Sequence, residues 1–401
     1  MQKKLMLLGG IRYLLPVIKA AHEQGYYVIT ADYLPENIAH KYSDEYVNVS
    51  IIDKEAVLKV AQEKQIDGIM SFGVDPGVVS AAYVAEKMGL PFQCSYESAC
   101  ILQDKSRFRQ FLSEHGFNCP KAKGYDRVED ALQDTDFFTW PVIVKPVDSA
   151  GSKGVTKVER KEDLSASIEN ALSSSFSKRF IIEYFLDIVG YQSSADVFSV
   201  NGKLVYPAFS DQLFDKKAAN PYTPAIEIWP SSMPMEAQKE LSEELQRLFT
   251  LLGIKTGIFN VESRICSNGK AYLMEVSPRG GGNRIAELQT MATGQDLVGN
   301  EVRQAMGVPV EGIGTPVYDG VWCNYILHSD KEGLLKSIDI EPDFMRNIVK
   351  DEGYSVKKGD KIVPFTGANT SLGTLFLRTD TREGMDAMLA DIDQYIKIIL
   401  E

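Results

Sequence analysis

The first hundred residues alternate short apolar runs with amphipathic stretches. Leu5–Leu8 is apolar and ends at Gly9-Gly10. Between Arg12 and Gln24, Leu14, Leu15, Ile18 and Ala21 fall on one helical stripe, and Gly25 stops it. Tyr27–Thr30 reads as a strand ending near Asp32. Asp53 is placed to cap a helix over Lys54–Lys64, with Val57, Val60 and Ala61 inward, and Gly68–Phe72 is strand-like again. Asp75-Pro76 sets a capping acid before a proline at the first helical position, opening a helix to Met88. This β-α-β-α order predicts a small doubly wound parallel sheet over residues 1–100.

After about Cys100 the texture changes. Asp104–Ser113 reads as a short helix with Phe108, Phe111 and Leu112 on one side. Strands are expected at Val142–Lys145, Val155–Val158, Arg179–Phe185, Ser194–Val200 and Lys203–Tyr206, the last two meeting at the hairpin dipeptide Asn201-Gly202. A long amphipathic helix covers Met235–Leu252, with Leu241, Leu245, Leu248 and Leu252 as its seam. A second hairpin joins Gly257–Ile265 to Ala271–Ser277. Residues 311–401 read as a separate small α+β unit. Phe214–Trp229 lacks clear periodicity and contains Asn220-Pro221 and Pro224, so a long loop is expected there. These changes place unit boundaries after residue 100 and before residue 311.

The second hairpin carries the most chemistry. Asn268-Gly269 fits a two-residue turn, which makes Ser267 face Lys270 and Glu262 face Glu275. Directly opposed side chains lie about 4.5–5.5 Å apart, and like charges there repel. Asn260 and Ser277 share that face, while Phe259, Val261, Ile265, Tyr272, Met274 and Val276 form the other, apolar one. A hard divalent cation between the two acids removes the conflict. The alternative is a pair of solvated glutamates in a slipped register. Next come Arg279 and Gly280-Gly281-Gly282-Asn283-Arg284, a guanidinium suited to an oxyanion beside a backbone that permits close approach.

Two further features lie upstream. Lys145 ends a strand and is followed by Ser149-Ala150-Gly151-Ser152-Lys153-Gly154, a small-residue loop able to present N–H groups to phosphate oxygens. It is not a Walker loop, since G-x-x-x-x-G-K-[ST] is absent. Ile181-Ile182-Glu183-Tyr184-Phe185-Leu186 places an acid among apolar residues at a strand end, as base-binding clefts do. Nicotinamide binding is disfavoured because the first turn reads Gly9-Gly10-Ile11-Arg12 and lacks G-x-G-x-x-G.

Composition narrows the classes. The chain has 401 residues, 44% hydrophobic and 24% charged, enough for several cores. A net charge of −12 disfavours nucleic-acid and anionic-membrane partners. Lys3 and Lys4 precede an apolar run too short for a secretory signal, and no run is long enough to span a bilayer. Five scattered cysteines with no C-x-x-C spacing suggest neither a zinc site nor a disulfide framework, and fit a reducing cytoplasm. The four histidines, His22, His40, His115 and His328, read as structural or surface residues.

In chain order, Lys105, Lys145, the loop Ser149–Gly154, Glu183, the Glu262/Glu275 pair and Arg279 resemble the ATP-grasp superfamily over residues 1–310. The remainder is similar to the extra C-terminal domain of some members. The resemblance is closest to carboxylate–amine ligases of the L-amino-acid-ligase and carbamoyl-phosphate-synthase type. It implies an α/β and α+β multidomain fold: an N-terminal doubly wound sheet, ATP-grasp subdomains over 101–186 (the nucleotide lid) and 187–310 (metal and substrate), and the C-terminal unit. It implies that Lys105, Lys145, Ser149, Gly151, Ser152 and Gly154 meet the ATP phosphates. Glu183 would accept from the adenine amino group while the backbone of Tyr184 and Leu186 reads the ring, and Gln192 stands where many members place a ribose-binding glutamate. Glu262 and Glu275 match the acids that bind magnesium or manganese, and Ser277 stands where asparagine is usual. Arg279 and Lys145 match catalytic positions, and Asp75, Lys216 and Arg284 are candidates for the substrate pocket.

The implied reaction activates a carboxylic acid as an acyl phosphate and passes it to an amine, releasing ADP and phosphate. Small-molecule substrates, no nucleic-acid or membrane partner and a homodimer are expected. Three other readings stay open: bicarbonate activation, modification of a sugar acid or nucleotide precursor, and a non-catalytic nucleotide-binding protein.

Overall fold

The computed structural model describes residues 2–149, 151–350 and 354–401. Strand Lys4–Leu8 has Leu5, Met6, Leu7 and Leu8 fully buried, because it runs through a sheet covered on both faces. Met6 and Leu8 enter one core, Leu5 and Leu7 the other. The sheet order is Glu45–Asn48, Tyr27–Asp32, Lys4–Leu8, Gly68–Ser71, all parallel. Helices Leu15–Glu23, Lys54–Lys64 and Val78–Met88 alternate with these strands along the chain. The doubly wound sheet expected from the sequence is therefore present. Its edge strand Glu45–Asn48 went unread because Glu-Tyr-Val-Asn contains no apolar run. Asp53 caps its helix as expected, accepting from the Ala56 N–H at 3.1 Å. Asp75 does not: a 3-10 turn over Asp75–Gly77 precedes the helix, and the carboxylate faces away to Arg279.

Two antiparallel sheets follow. The first holds Ala122–Tyr125, Phe180–Tyr184, Val142–Pro146 and Thr156–Val158, in that order, with helix Leu164–Ser174 packed against it. The second holds Lys203–Tyr206, Ile188–Val200, Gly257–Cys266 and Ala271–Ser277. Helix Met235–Leu251 covers its apolar face with Leu241, Leu245 and Leu248 fully buried. Asn201 and Gly202 have φ of 50° and 79° and join strands paired Val200 to Lys203, the two-residue turn the sequence predicts.

The expected loop at Phe214–Trp229 is present over residues 215–223, but Pro224–Trp229 is strand. Asp211–Phe214 and Pro224–Trp229 pair antiparallel and continue into Val321–Leu327, Gly373–Thr379 and Ile348–Lys350. Ala225, Glu227, Ile228 and Trp229 are all buried, so the segment has no alternation to read. Pro224 sits at the first residue of its strand, where its missing N–H is tolerated. This five-stranded sheet draws on residues from both sides of position 311. A three-stranded sheet of Lys361–Ile362, Gly333–Ile340 and Ile396–Leu400 completes the C-terminal region.

Candidate active site

The acidic hairpin has the expected pairing at its centre but reaches it by another route. Glu262 faces Glu275 and Asn260 faces Ser277. Nearer the turn, however, Ser263 pairs with Leu273 and Ile265 with Ala271, one residue out of that register. The turn has three residues, Ser267, Asn268 and Gly269, closed by the Cys266 N–H to Lys270 O bond at 3.1 Å, so Ser267 does not face Lys270 as a two-residue turn requires. Gly269 takes the left-handed conformation with φ of 73°. A bulge at Met274 restores the register before Glu275. Two single-residue shifts thus cancel, and both carboxylates end on one face.

The neighbouring strand extends this polar face. Asn260 pairs with Asp196, Glu262 with Ser194 and Arg264 with Gln192. Asp196 is fully buried; both its oxygens accept from the Gly281 N–H, at 2.8 and 2.9 Å, and one from Asn260 at 3.0 Å. It thereby fixes the backbone of the glycine-rich loop. Burial pushes its carboxyl up to about 6 against these hydrogen bonds.

Helix Lys105–Glu114 brings two cations to the site. Asp104 caps it, accepting from the N–H groups of Ser106 and Arg107. Lys105 and Arg109 are four residues apart and share a helix face. Lys105 Nζ donates to Ser149 O at 2.9 Å and lies 3.3 Å from Glu275 Oε2. Arg109 Nε donates to Glu183 Oε2 at 2.9 Å, and its NH1 to Met274 O, the bulge residue, at 2.8 Å. The other oxygen of Glu183 is held by Lys145 Nζ. Burial alone would raise the Glu183 carboxyl, but Arg109 and Lys145 hold it well below the usual range. Burial, only partly offset by Glu183, lowers Lys145, whereas Glu275 and Asp75 more than offset the burial of Lys105 and raise it. Beside these groups Leu186 and Tyr184 pack with Cys266, Tyr272 and Met274, an apolar patch contributed by both flanks.

In the small-residue loop, Gly151 and Gly154 have φ of 68° and 71° and Ser152 has φ of 58°. Ser152 Oγ donates to Tyr222 O at 2.9 Å, and Asn220 Nδ2 reaches Ser152 O at 3.3 Å and Thr366 O at 3.2 Å. The loop is therefore tied to the C-terminal region. Arg279 is buried against Asp75 through Nε at 2.8 Å and NH2 at 2.6 Å, and its NH1 donates to Gly280 O at 2.9 Å. Ser277 Oγ donates to Asp75 at 2.9 Å and accepts from Gln103 Nε2 at 2.6 Å.

Three other candidates lie apart from these contacts. Gln192 turns into the interior and donates to Gln212 Oε1 at 2.6 Å. Arg284, left-handed with φ of 64°, pairs with Glu287 at 2.9 Å and lies over the Phe376 ring. Lys216 is exposed, with no hydrogen bond or ion pair to the cluster among the described residues. Arg109, Gln103, Asp196 and Glu227 were not read from the sequence. Arg109 was accessible through its i+4 spacing from Lys105, and Asp196 through the pleat once its strand is set beside Asn260. Glu227 is buried in a row with Gln212 and Asn324, whose amides approach it at 3.3 and 3.4 Å, and burial pushes its carboxyl up to about 8.

The acid pair suits a hard cation. The Glu262 side chain makes no hydrogen bond or ion pair among the described residues, and burial followed by the Glu275 charge raises its carboxyl. Among the described residues no three His, Cys, Asp or Glu side chains come together, so no closed protein cage exists. Two carboxylates with room for phosphate and water oxygens match how magnesium binds beside nucleotides.

Residues 138–287 match the family model described as the ATP-grasp domain. That segment is similar to an ATP-grasp domain, and the fold of the chain is the ATP-grasp fold. Among curated relatives, the carbamoyl phosphate synthase large chain of Clostridium beijerinckii is 22% identical over 306 residues, 75% of this chain and 28% of that protein. The chain thus spans just over a quarter of the length of that relative. Among solved structures, L-amino acid ligase from Bacillus licheniformis superposes with a TM-score of 0.81 at 20% identity, covering 100% of this chain and 99% of that one. N5-carboxyaminoimidazole ribonucleotide synthetase from Thermotoga maritima gives 0.76 at 18% identity, covering 100% of both chains. No helix among the described residues is long and apolar enough to cross a membrane.

Proposed function

We propose that this protein is an ATP-dependent carboxylate–amine ligase that forms an amide through an acyl phosphate. The observation that carries the reading is the convergence of Lys105, Lys145 and Arg279 on the face that bears Glu262 and Glu275. In this reading the apolar patch around Leu186 and Tyr272 receives adenine. Glu183, already ionised by Arg109, stays charged when Lys145 turns toward a phosphate. Lys105 spans the metal acid Glu275 and the lid carbonyl of Ser149, so it follows the lid onto the phosphates. Magnesium held by Glu262 and Glu275 would offset charge on the β- and γ-phosphates.

An oxygen of the acid attacks the γ-phosphorus as the bond to ADP breaks. The amine nitrogen then attacks the acyl carbon, and phosphate leaves with that oxygen. Arg279 stabilises the oxyanion in both steps, and the chain's share is positioning, charge stabilisation and exclusion of water. The substrates are a small carboxylic acid and an amine, and a homodimer is the expected assembly. ADP release should require an acid and an amine together, across a panel of both. Release with neither, at the same rate, would remove the ligase reading.

A further inference from the structure

Asp75 opens the 3-10 turn that follows the N-terminal parallel sheet, yet it reaches the residue at the centre of the proposed chemistry. Its Oδ1 accepts from Arg279 Nε at 2.8 Å and from Ser277 Oγ at 2.9 Å, and its Oδ2 accepts from Arg279 NH2 at 2.6 Å. Gln103 donates to Ser277 in turn. The N-terminal unit grips the same loop at two more points. The Gly73 N–H donates to Gly280 O at 3.0 Å, and a Cβ on Gly280 would lie 2.3 Å from the Phe72 ring.

A guanidinium has five N–H donors. Asp75 takes two and Gly280 O a third, which leaves two, one on each terminal nitrogen, without a partner among the described residues. An oxyanion binds a guanidinium bidentately through such a pair. We propose that Asp75, with Ser277 and Gln103 behind it, is the positioning residue of Arg279: it fixes one edge of the guanidinium so that the remaining N–H groups present to an oxyanion. This rests on the ligase reading for the identity of the oxyanion, the phosphoryl or acyl oxygens of the intermediate. It also accounts for serine at position 277, whose hydroxyl serves the aspartate. Without Asp75, the anions remaining around Arg279 are Glu275 and Asp196, and the guanidinium is drawn toward a metal-binding acid.

The test uses the full chain loaded with MgADP and inorganic phosphate as the oxyanion probe, read by calorimetry. Asp75→Asn keeps MgADP affinity near that of the wild type but weakens phosphate binding by about tenfold or more, the scale of a charge-assisted hydrogen bond. Asp75→Glu keeps the charge and recovers part of the loss, and Arg279→Lys abolishes phosphate binding. If Asp75→Asn does not fold, Ser277→Ala, which removes one donor from Asp75, weakens phosphate binding in the same direction by a smaller factor. Unchanged phosphate affinity in the folded variant overturns the proposal. Tighter binding overturns it too, because Asp75 would then compete with the oxyanion. If the wild type binds no MgADP, the nucleotide reading falls, while the same phosphate titrations on nucleotide-free protein still decide the role of Asp75.

Discussion

Glu262 and Glu275 face each other, but they are not equivalent. Glu275 has Lys105 at 3.3 Å, whereas Glu262 has no such partner among the described residues and its carboxyl is raised by burial and by Glu275. Glu262→Gln should therefore leave apo stability unchanged or raise it, while Glu275→Gln lowers it by orphaning part of Lys105. Both should cripple magnesium-dependent turnover. Thermal melts of the apo proteins beside ADP assays check this, and loss of apo stability in Glu262→Gln would show that the carboxylate has a structural partner. Glu227 offers a pH signature. Its folded carboxyl is pushed from 4.5 to about 8 by burial. The folded state then holds a proton that the unfolded chain has released, so stability falls as pH rises between those values and the loss is complete above them. Glu301, also pushed up to about 8 by burial, adds to the same trend. Glu227→Gln should gain stability relative to the wild type as pH rises through that window, and a pH-independent difference between the two melting curves would contradict it.

In the ligase reading, the helix that begins at Lys105 is the element on which the nucleotide end depends. It sends Lys105 to Ser149 and Glu275, and Arg109 to Glu183 and the Met274 carbonyl. Asp104 anchors its start and pairs with Arg179 NH1 at 2.6 Å. Asp104→Ala should cost about 1 kcal/mol from the lost cap, and should raise the KM for ATP more than it lowers kcat, because the reacting groups are untouched. A stability loss with unchanged KM would mean that the helix does not position the nucleotide site.

Legibility also divides at this scale. The N-terminal crossovers, the Met235–Leu251 helix and the Asn201-Gly202 turn were readable because each rests on local periodicity or a turn dipeptide. The Glu262–Glu275 pairing was anticipated from a turn the chain does not make, and it survives because the Met274 bulge compensates. Pro224–Trp229 was illegible because its last three residues are all buried and one of its partner strands, Val321–Leu327, lies about a hundred residues away. Lys105, Lys145, Glu183 and Arg279 were identified singly, but the Arg109–Glu183 and Asp75–Arg279 pairs that orient them join residues 74 and 204 positions apart. No local pattern encodes such contacts.

At the scale of the whole molecule, each region contributes to one centre. The N-terminal unit supplies Asp75, the sheet of Val142–Pro146 and Phe180–Tyr184 supplies Lys145 and Glu183, the hairpin sheet both acids, and the C-terminal region the Thr366 carbonyl that Asn220 ties to the small-residue loop. Such an assembly suits a reaction that must keep water from an activated acyl group. The most direct test of the ligase account follows the oxygen. Carboxylic acids labelled with heavy oxygen in the carboxyl group are incubated with enzyme, MgATP and an amine, and the products are weighed by mass spectrometry. The account predicts ADP, and one labelled oxygen in phosphate for each amide formed. AMP with pyrophosphate, or phosphate carrying no label, would contradict it.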